Sequence, residues 1–134
     1  MSAQNVELVR RIHAADARGN YELALSFFAP DVELDATHMP DGQIFRGLDA
    51  VRAHVADWRS GWRDFQEEIE DVLEAGNRVV IFYCDRGIGR SSGVETEIRY
   101  ASVWDVRDGK IARMKNFLNR DEAVRDATPR IDSQ

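Results

Sequence analysis

Few residues in this 134-residue chain have the type and placement that chemistry needs. Asp16 falls on the next step of a helical stripe that carries Val9 and Ile12, where an apolar side chain is expected. A carboxylate desolvated there has its pKa raised and can donate or accept protons; at a fraying helix end it would only face water. Asp85 ends an apolar run in phase with Val79, Ile81 and Tyr83. It projects into a cavity mouth beside Tyr83, or pairs with Arg86, Arg90 or Arg99 at a sheet rim. Asn116 stands between Met114 and Leu118 on one strand face, suited to orient a ligand carbonyl or to bond the backbone of a core. Tyr83, Tyr100 and Ser102 supply hydroxyls at positions in phase with these groups, and Trp58 and Trp104 supply apolar walls. His54, between Val51 and Trp58, reads as a hydrogen-bonded core residue lining the same space. His13 precedes Asp16 by three residues and can form an oriented pair with it, whereas His38 lies in a proline-flanked loop.

Other chemistries lack their residues. The three histidines have no metal-ligand spacing and the single Cys84 cannot supply a thiolate cluster, so no metal is expected. There is no nucleophile elbow and no phosphate loop. Gly87–Ile88–Gly89 lies between two strands, not between strand and helix, and no cofactor is expected. Eighteen basic against twenty-four acidic residues give a net charge of −6, and the basic ones are scattered. That arrangement excludes a nucleic-acid partner and an anionic membrane surface. The lone cysteine, the polar N-terminal residues and the lack of a long apolar stretch point to a cytoplasmic protein.

The elements that must hold these residues follow from periodicity. Residues 5–19 read as a helix ended by Gly19, and Asn20 caps a second helix over 21–29 that Pro30 stops. Residues 31–36 alternate as a short strand, 37–43 form a loop, and a long helix after Gly47 carries Leu48, Val51, Val55, Trp58 and Trp62 as a stripe. From residue 64 the period changes to two. Strands are expected over 65–74, 78–88, 94–107 and 110–119, with a tight hairpin at Asp108–Gly109, and a last helical turn over 121–126. The strand over 78–88 is apolar on both faces, so one face is expected under helices and the other under a partner. The result is a single α+β domain over 1–127 with a polar tail at 128–134.

Several strings resemble a known family. Arg11–Ile12–His13–Ala14–Ala15 with Arg18–Gly19–Asn20 resembles the first helix of the nuclear-transport-factor-2-like superfamily, in its SnoaL-like branch. Phe28–Ala29–Pro30–Asp31–Val32–Glu33 and Phe45–Arg46–Gly47–Leu48–Asp49–Ala50–Val51 are similar to the branch's entries into its first strand and third helix. The closing residues 103–111 and 116–123 carry the most specific likeness, and the whole covers about residues 7–124. The resemblance implies a cone-shaped, curved mixed sheet wrapped by three N-terminal helices, enclosing a pocket for a small hydrophobic molecule. It also implies a homodimer through the convex sheet face.

Members of that superfamily include ketosteroid isomerases, polyketide cyclases, epoxide hydrolases, dehydratases and binders without chemistry. The isomerase's helix-one tyrosine would fall at Ile12, its base near Asp35 or Ala36, and its second acid near Ser102. The epoxide hydrolase set falls at Tyr83, Asp85 and Asn116, and the cyclase acid at about Asn116. No catalytic set carries over whole; Asp35 and Asp85 are the positions that keep a carboxylate. The expectation is a general acid/base enzyme of isomerase, cyclase or dehydratase type on an apolar or ring-containing metabolite. Asp85, Asp16 and Asp35 are its candidate catalytic residues, with Ile12, His54, Trp58, Tyr83, Tyr100, Ser102, Trp104 and Asn116 as the pocket wall. A ligand-binding protein or a dimeric interaction module on the same fold are the alternatives.

Overall fold

The computed structural model describes residues 2–40 and 42–128. Helix α1 (Ser2–Ala17) sets Val9, Ile12 and Ala15 into the core, at steps of three that return to one side of a helix. Gly19, at φ 77°, ends the segment, and the Asn20 side chain accepts the Leu23 N–H to cap α2 (Tyr21–Leu25). Helix α2 is four residues shorter than the periodicity predicts. Phe28 and Ala29 belong instead to β1 (Phe28–His38), where Phe28 pairs with Ile111. A residue before proline is pushed out of the helical region, and Ala29 precedes Pro30.

Strand β1 also takes Thr37 and His38 from the expected loop, whose Asp41 lies outside the described residues. Strand β2 (Ile44–Arg46) pairs antiparallel with Glu33–Asp35, and three residues are too few for an alternation to show in a sequence. Helix α3 (Leu48–Ser60) follows Gly47 as expected, but Trp62 is not the end of its stripe. It opens β3 (Trp62–Ala75), which continues into β4 (Arg78–Gly89), β5 (Glu95–Arg107) and β6 (Lys110–Phe117) as an antiparallel meander. Asp108 and Gly109 both have positive φ, 53° and 74°, as the tight β5–β6 hairpin requires.

The six strands run in the order β2-β1-β6-β5-β4-β3, with β1 and β6 parallel and every other pair antiparallel. Register shifts in β3 at Arg63/Gln66 and Ile69/Asp71, and between β5 and β6 at Asp105/Val106, bend the sheet. This is the curved, mixed α+β sheet expected from the sequence. Its concave face packs Val79, Ile81, Tyr83, Tyr100 and Trp104 against residues of the first three helices.

The convex face differs from expectation. Residues past Asn119 form a full helix, α4 (Arg120–Ala127), whose Ala123 and Ala127 cover Val80, Ala101, Val103 and Phe117. The second apolar face of β4 is therefore closed in part by the chain itself. Asn119 caps α4 through the Glu122 N–H, a local signal that the sequence already contained. The polar tail expected at 128–134 lies, Thr128 apart, outside the described residues. Beside α4 the convex surface is polar: Arg86 pairs with Glu68 and Glu97, and Arg99 with Glu97 and Glu70.

Candidate functional site

Strand parity carries the apolar series Val79, Ile81 and Tyr83 onward to Asp85, which is fully buried. Its Oδ2 accepts two hydrogen bonds, from Trp58 Nε1 at 3.1 Å and from the Tyr100 hydroxyl at 2.9 Å. Tyr100 faces Tyr83 across the β4–β5 register with ring centroids 5.1 Å apart, which brings its hydroxyl to Asp85. Trp58 arrives from α3 and packs edge-on to Trp62 at 5.5 Å. Gly87 makes this possible: a Cβ there would stand 2.7 Å from Trp62 Cε3, so only a bare backbone admits the indole. Burial pushes the Asp85 carboxyl up, against the opposing bonds from Tyr100 and Trp58. None of the rim arginines pairs with it among the described residues.

Glu67 stands opposite Asp85 in the β3–β4 register. It keeps access to solvent while protein surrounds its other sides, so it forms an outer carboxyl in front of an inner one. Burial, then the Asp85 charge and a shared hydrogen bond, push the Glu67 carboxyl up to about 8. Among the described residues Asp85 Oδ1 accepts no bond from a fixed donor, and Glu67 shares a side-chain hydrogen bond with the same carboxyl. Glu67 therefore carries its proton at neutral pH, beside a carboxyl whose own pKa is raised. Sequence reading missed Glu67 because it sits among Glu68, Glu70 and Asp71 in a segment that reads as solvated. The available signal was its alternation with Phe65 and Ile69.

Around this pair lie two further polar contacts. His13 Nδ1 is 2.7 Å from the Val9 carbonyl, so that nitrogen carries the hydrogen and Nε2 accepts the Tyr83 hydroxyl at 2.5 Å. Burial lowers the His13 pKa despite Val9 and Asp16, which leaves a neutral imidazole. Burial also holds the Tyr83 and Tyr100 phenols well above their ordinary value. Asp16 is not alone in an apolar stripe: the Arg59 guanidinium from α3 pairs with it and lies 5.2 Å over the Tyr21 ring. His13 therefore turns to Tyr83, and Asp16 turns to Arg59.

Deeper in the cone Trp104 Nε1 donates to Ser102 Oγ at 2.8 Å, and Ser102 donates to Asn116 Oδ1 at 2.6 Å. His13 stacks on Trp104 at 5.2 Å, linking this triad to the first group. Asp16, Trp58, Tyr83, Asp85, Tyr100, Ser102, Trp104 and Asn116 are thus gathered in one interior, with Ile12 in its apolar wall. Asp35 is not among them. It alternates with Leu34, faces away from the concave core, and accepts the Thr37 amide at 2.9 Å and hydroxyl at 2.6 Å. Burial would raise its pKa, but those two bonds outweigh it and the pKa falls, so Asp35 fastens the end of β1. His54 also stands apart, stacked on Phe45 of β2 at 4.2 Å.

Residues 9–114 match the SnoaL-like domain. The chain belongs to this family. A protein of Mycobacterium tuberculosis H37Rv, itself uncharacterised, is 33% identical over 117 residues, covering 84% of this chain and 87% of the relative. Among solved structures, TerC co-crystallised with polyporic acid has a TM-score of 0.73 at 23% identity, over 92% of this chain and 97% of that one. A candidate polyketide cyclase from Xanthomonas campestris pv. campestris has a TM-score of 0.72 at 24% identity, over 95% and 98% of the two chains. A nuclear-transport-factor-2-like protein of unknown function from Burkholderia pseudomallei K96243 has a TM-score of 0.75 at 22% identity, over 94% and 98%. At these identities the likeness to the structures is one of fold.

In this SnoaL-like chain two surface clefts lie away from Asp85. One of about 600 Å³ opens between Glu33, Asp105, Arg107 and Arg113, and one of about 310 Å³ beside Arg99 and Arg120. No helix among the described residues is long and apolar enough to cross a membrane.

Proposed function

We propose that the chain is a small-molecule protein of the SnoaL-like type that performs general acid/base chemistry at the Glu67–Asp85 pair. The observation that carries this reading is a fully buried carboxylate facing a second, solvent-accessible carboxyl across two strands. Asp85 acts as base toward a carbon- or oxygen-bound proton, and Glu67, protonated below about 8, acts as acid. Trp58 and Tyr100 hold Asp85 in place, while Trp62 and Phe65 extend the apolar wall beyond it. The solved relatives include candidate polyketide cyclases and a protein crystallised with polyporic acid, which agrees with ring-containing substrates.

Proton abstraction can be followed without the physiological substrate. Cyclic ketones and 1,3-diketones incubated with the protein in D₂O should exchange their α-hydrogens, read by proton NMR. A positioned base contributes roughly 10²–10⁴-fold, so D85N should reduce any catalysed exchange by about that factor. The acid role of Glu67 should fade as pH rises through about 8. Full activity in both D85N and E67Q would refute the assignment.

A second reading, a dimeric interaction module whose interior is packed shut by its own side chains, is favoured by the rings that fill the interior: His13 stacks on Trp104 and Tyr83 on Tyr100. It predicts neither saturable small-molecule binding nor exchange. Homodimerisation belongs to the proposal as well, with the polar convex surface outside α4 as the contact. Sedimentation at micromolar concentration should give twice the 15.3 kDa mass of one chain, and a monomer mass would refute it.

A further inference from the structure

The groups around Asp85 leave a charge and an acceptor unanswered. Four elements bring titratable neighbours to the pair: α1 with Asp16 and, through Tyr83, His13; α3 with Arg59; and β4 and β5 with Tyr83 and Tyr100. His13 is neutral and both phenols stay protonated. Arg59 is the cation that acts on the pair, and it is already committed to Asp16 and to the Tyr21 ring. Trp58 and Tyr100 both spend their hydrogens on Oδ2, so Oδ1 of a side chain with no solvent exposure has no fixed donor. In front of it Glu67 is open to solvent, and beside it Trp58, Trp62 and Phe65 form a run of rings 5.5 Å apart.

The chemistry of a visitor follows from what it would meet. A carboxylate brings like charge to the pair. A bare carbonyl can accept from Glu67 but brings no donor to Asp85 Oδ1. A hydroxyl satisfies Oδ1 but leaves the charge as it was. A protonated amine on an apolar skeleton supplies the donor and the charge together, with the rings as its hydrophobic and cation–π support.

We infer that the Glu67–Asp85 pair recognises an organic ammonium ion carried on a small ring or alkyl skeleton, the ammonium donating to Asp85 Oδ1 and Glu67 while the skeleton lies on the Trp58, Trp62 and Phe65 rings. This rests on the reading above that the pair is the small-molecule site, and it names the class of molecule. Binding is an exchange: the ammonium enters intact, Glu67 gives its proton to solvent, and total charge is conserved. Affinity for the ammonium therefore rises with pH until Glu67 is ionised without help, by about tenfold per unit for one linked proton.

The test uses the full chain and three probes of one skeleton: phenethylamine in its ammonium form, 2-phenylethanol and phenylacetate. Calorimetric titrations between about pH 6 and 8, in two buffers of different ionisation heat, read both affinity and protons released. The inference predicts that the ammonium binds at least about tenfold more tightly than the alcohol, releases close to one proton near pH 7, and gains affinity toward pH 8. E67Q, at the solvent-accessible position, should keep its fold by circular dichroism, weaken the ammonium about tenfold or more, and abolish the proton release. D85N should abolish ammonium binding. Equal or tighter binding of the alcohol or the carboxylate, still lost in E67Q, overturns the ammonium class and leaves the site standing. Binding that neither substitution alters, or no ammonium binding at millimolar concentration, overturns the inference.

Discussion

An ionisable group without access to water survives in a fold only where donors stand in for its hydration, and Asp85 has two on one oxygen. Removing either leaves a buried carboxylate short of a partner, so W58F and Y100F should each destabilise the protein by about 1–3 kcal/mol in urea unfolding. A loss below experimental error in both would mean that water reaches Asp85. Glu67 should leave its mark on the pH dependence of stability. Its folded pKa lies above its ordinary 4.5, so the native state holds the extra proton between 4.5 and about 8. The stabilisation it gives is full below 4.5 and lost as pH rises through about 8. Melting temperatures of the wild type and E67Q should therefore diverge across that window, the wild type falling more steeply. Parity alone placed Asp85 beside Tyr83. Parity puts Glu67 on one face with Phe65 and Ile69 but does not name its partner, which is set by the β3–β4 register with two irregularities along β3.

Elements were legible where one residue decides a conformation and illegible where tertiary pairing decides it. Gly19, Asn20 and the Asp108–Gly109 turn stand where the chain chemistry puts them. Phe28 could sit on a helical face or in a strand, and its pairing with Ile111 across the whole chain settles the matter. Trp62 continues the α3 spacing and yet opens β3, where it lies on the bare backbone of Gly87. That contact makes Gly87 the position at which the sheet is most sensitive near the site. In G87A the new methyl would meet Trp62 at 2.7 Å and the Arg63 carbonyl at 3.1 Å. Overpacking of this kind costs about 1–3 kcal/mol, and indole displacement should change the tryptophan emission spectrum. Unaltered emission and stability would show that Trp62 does not depend on the gap.

At the scale of the molecule, the sheet has two packed faces with different occupants. The concave face carries the aromatic and polar interior under α1–α3, and the convex face carries a smaller apolar strip under α4. The sequence showed that both faces of β4 are apolar but not that the last few residues return to cover one. An eight-residue helix with mostly charged residues carries little periodic signal of its own. Phe117 anchors that strip, so F117A should cost about 3–5 kcal/mol, comparable to other buried Phe deletions. A cost under about 1 kcal/mol would mean that α4 is not docked there.

The proposed chemistry depends on Glu67 keeping its proton at neutral pH because of the Asp85 carboxyl across the β3–β4 register. The direct measurement is a ¹³C NMR titration of the Glu67 side-chain carboxyl in the wild type and in D85N. The expected wild-type midpoint is near 8, moving back toward 4.5 when Asp85 loses its charge. A wild-type midpoint already near 4.5, unchanged in D85N, would contradict it.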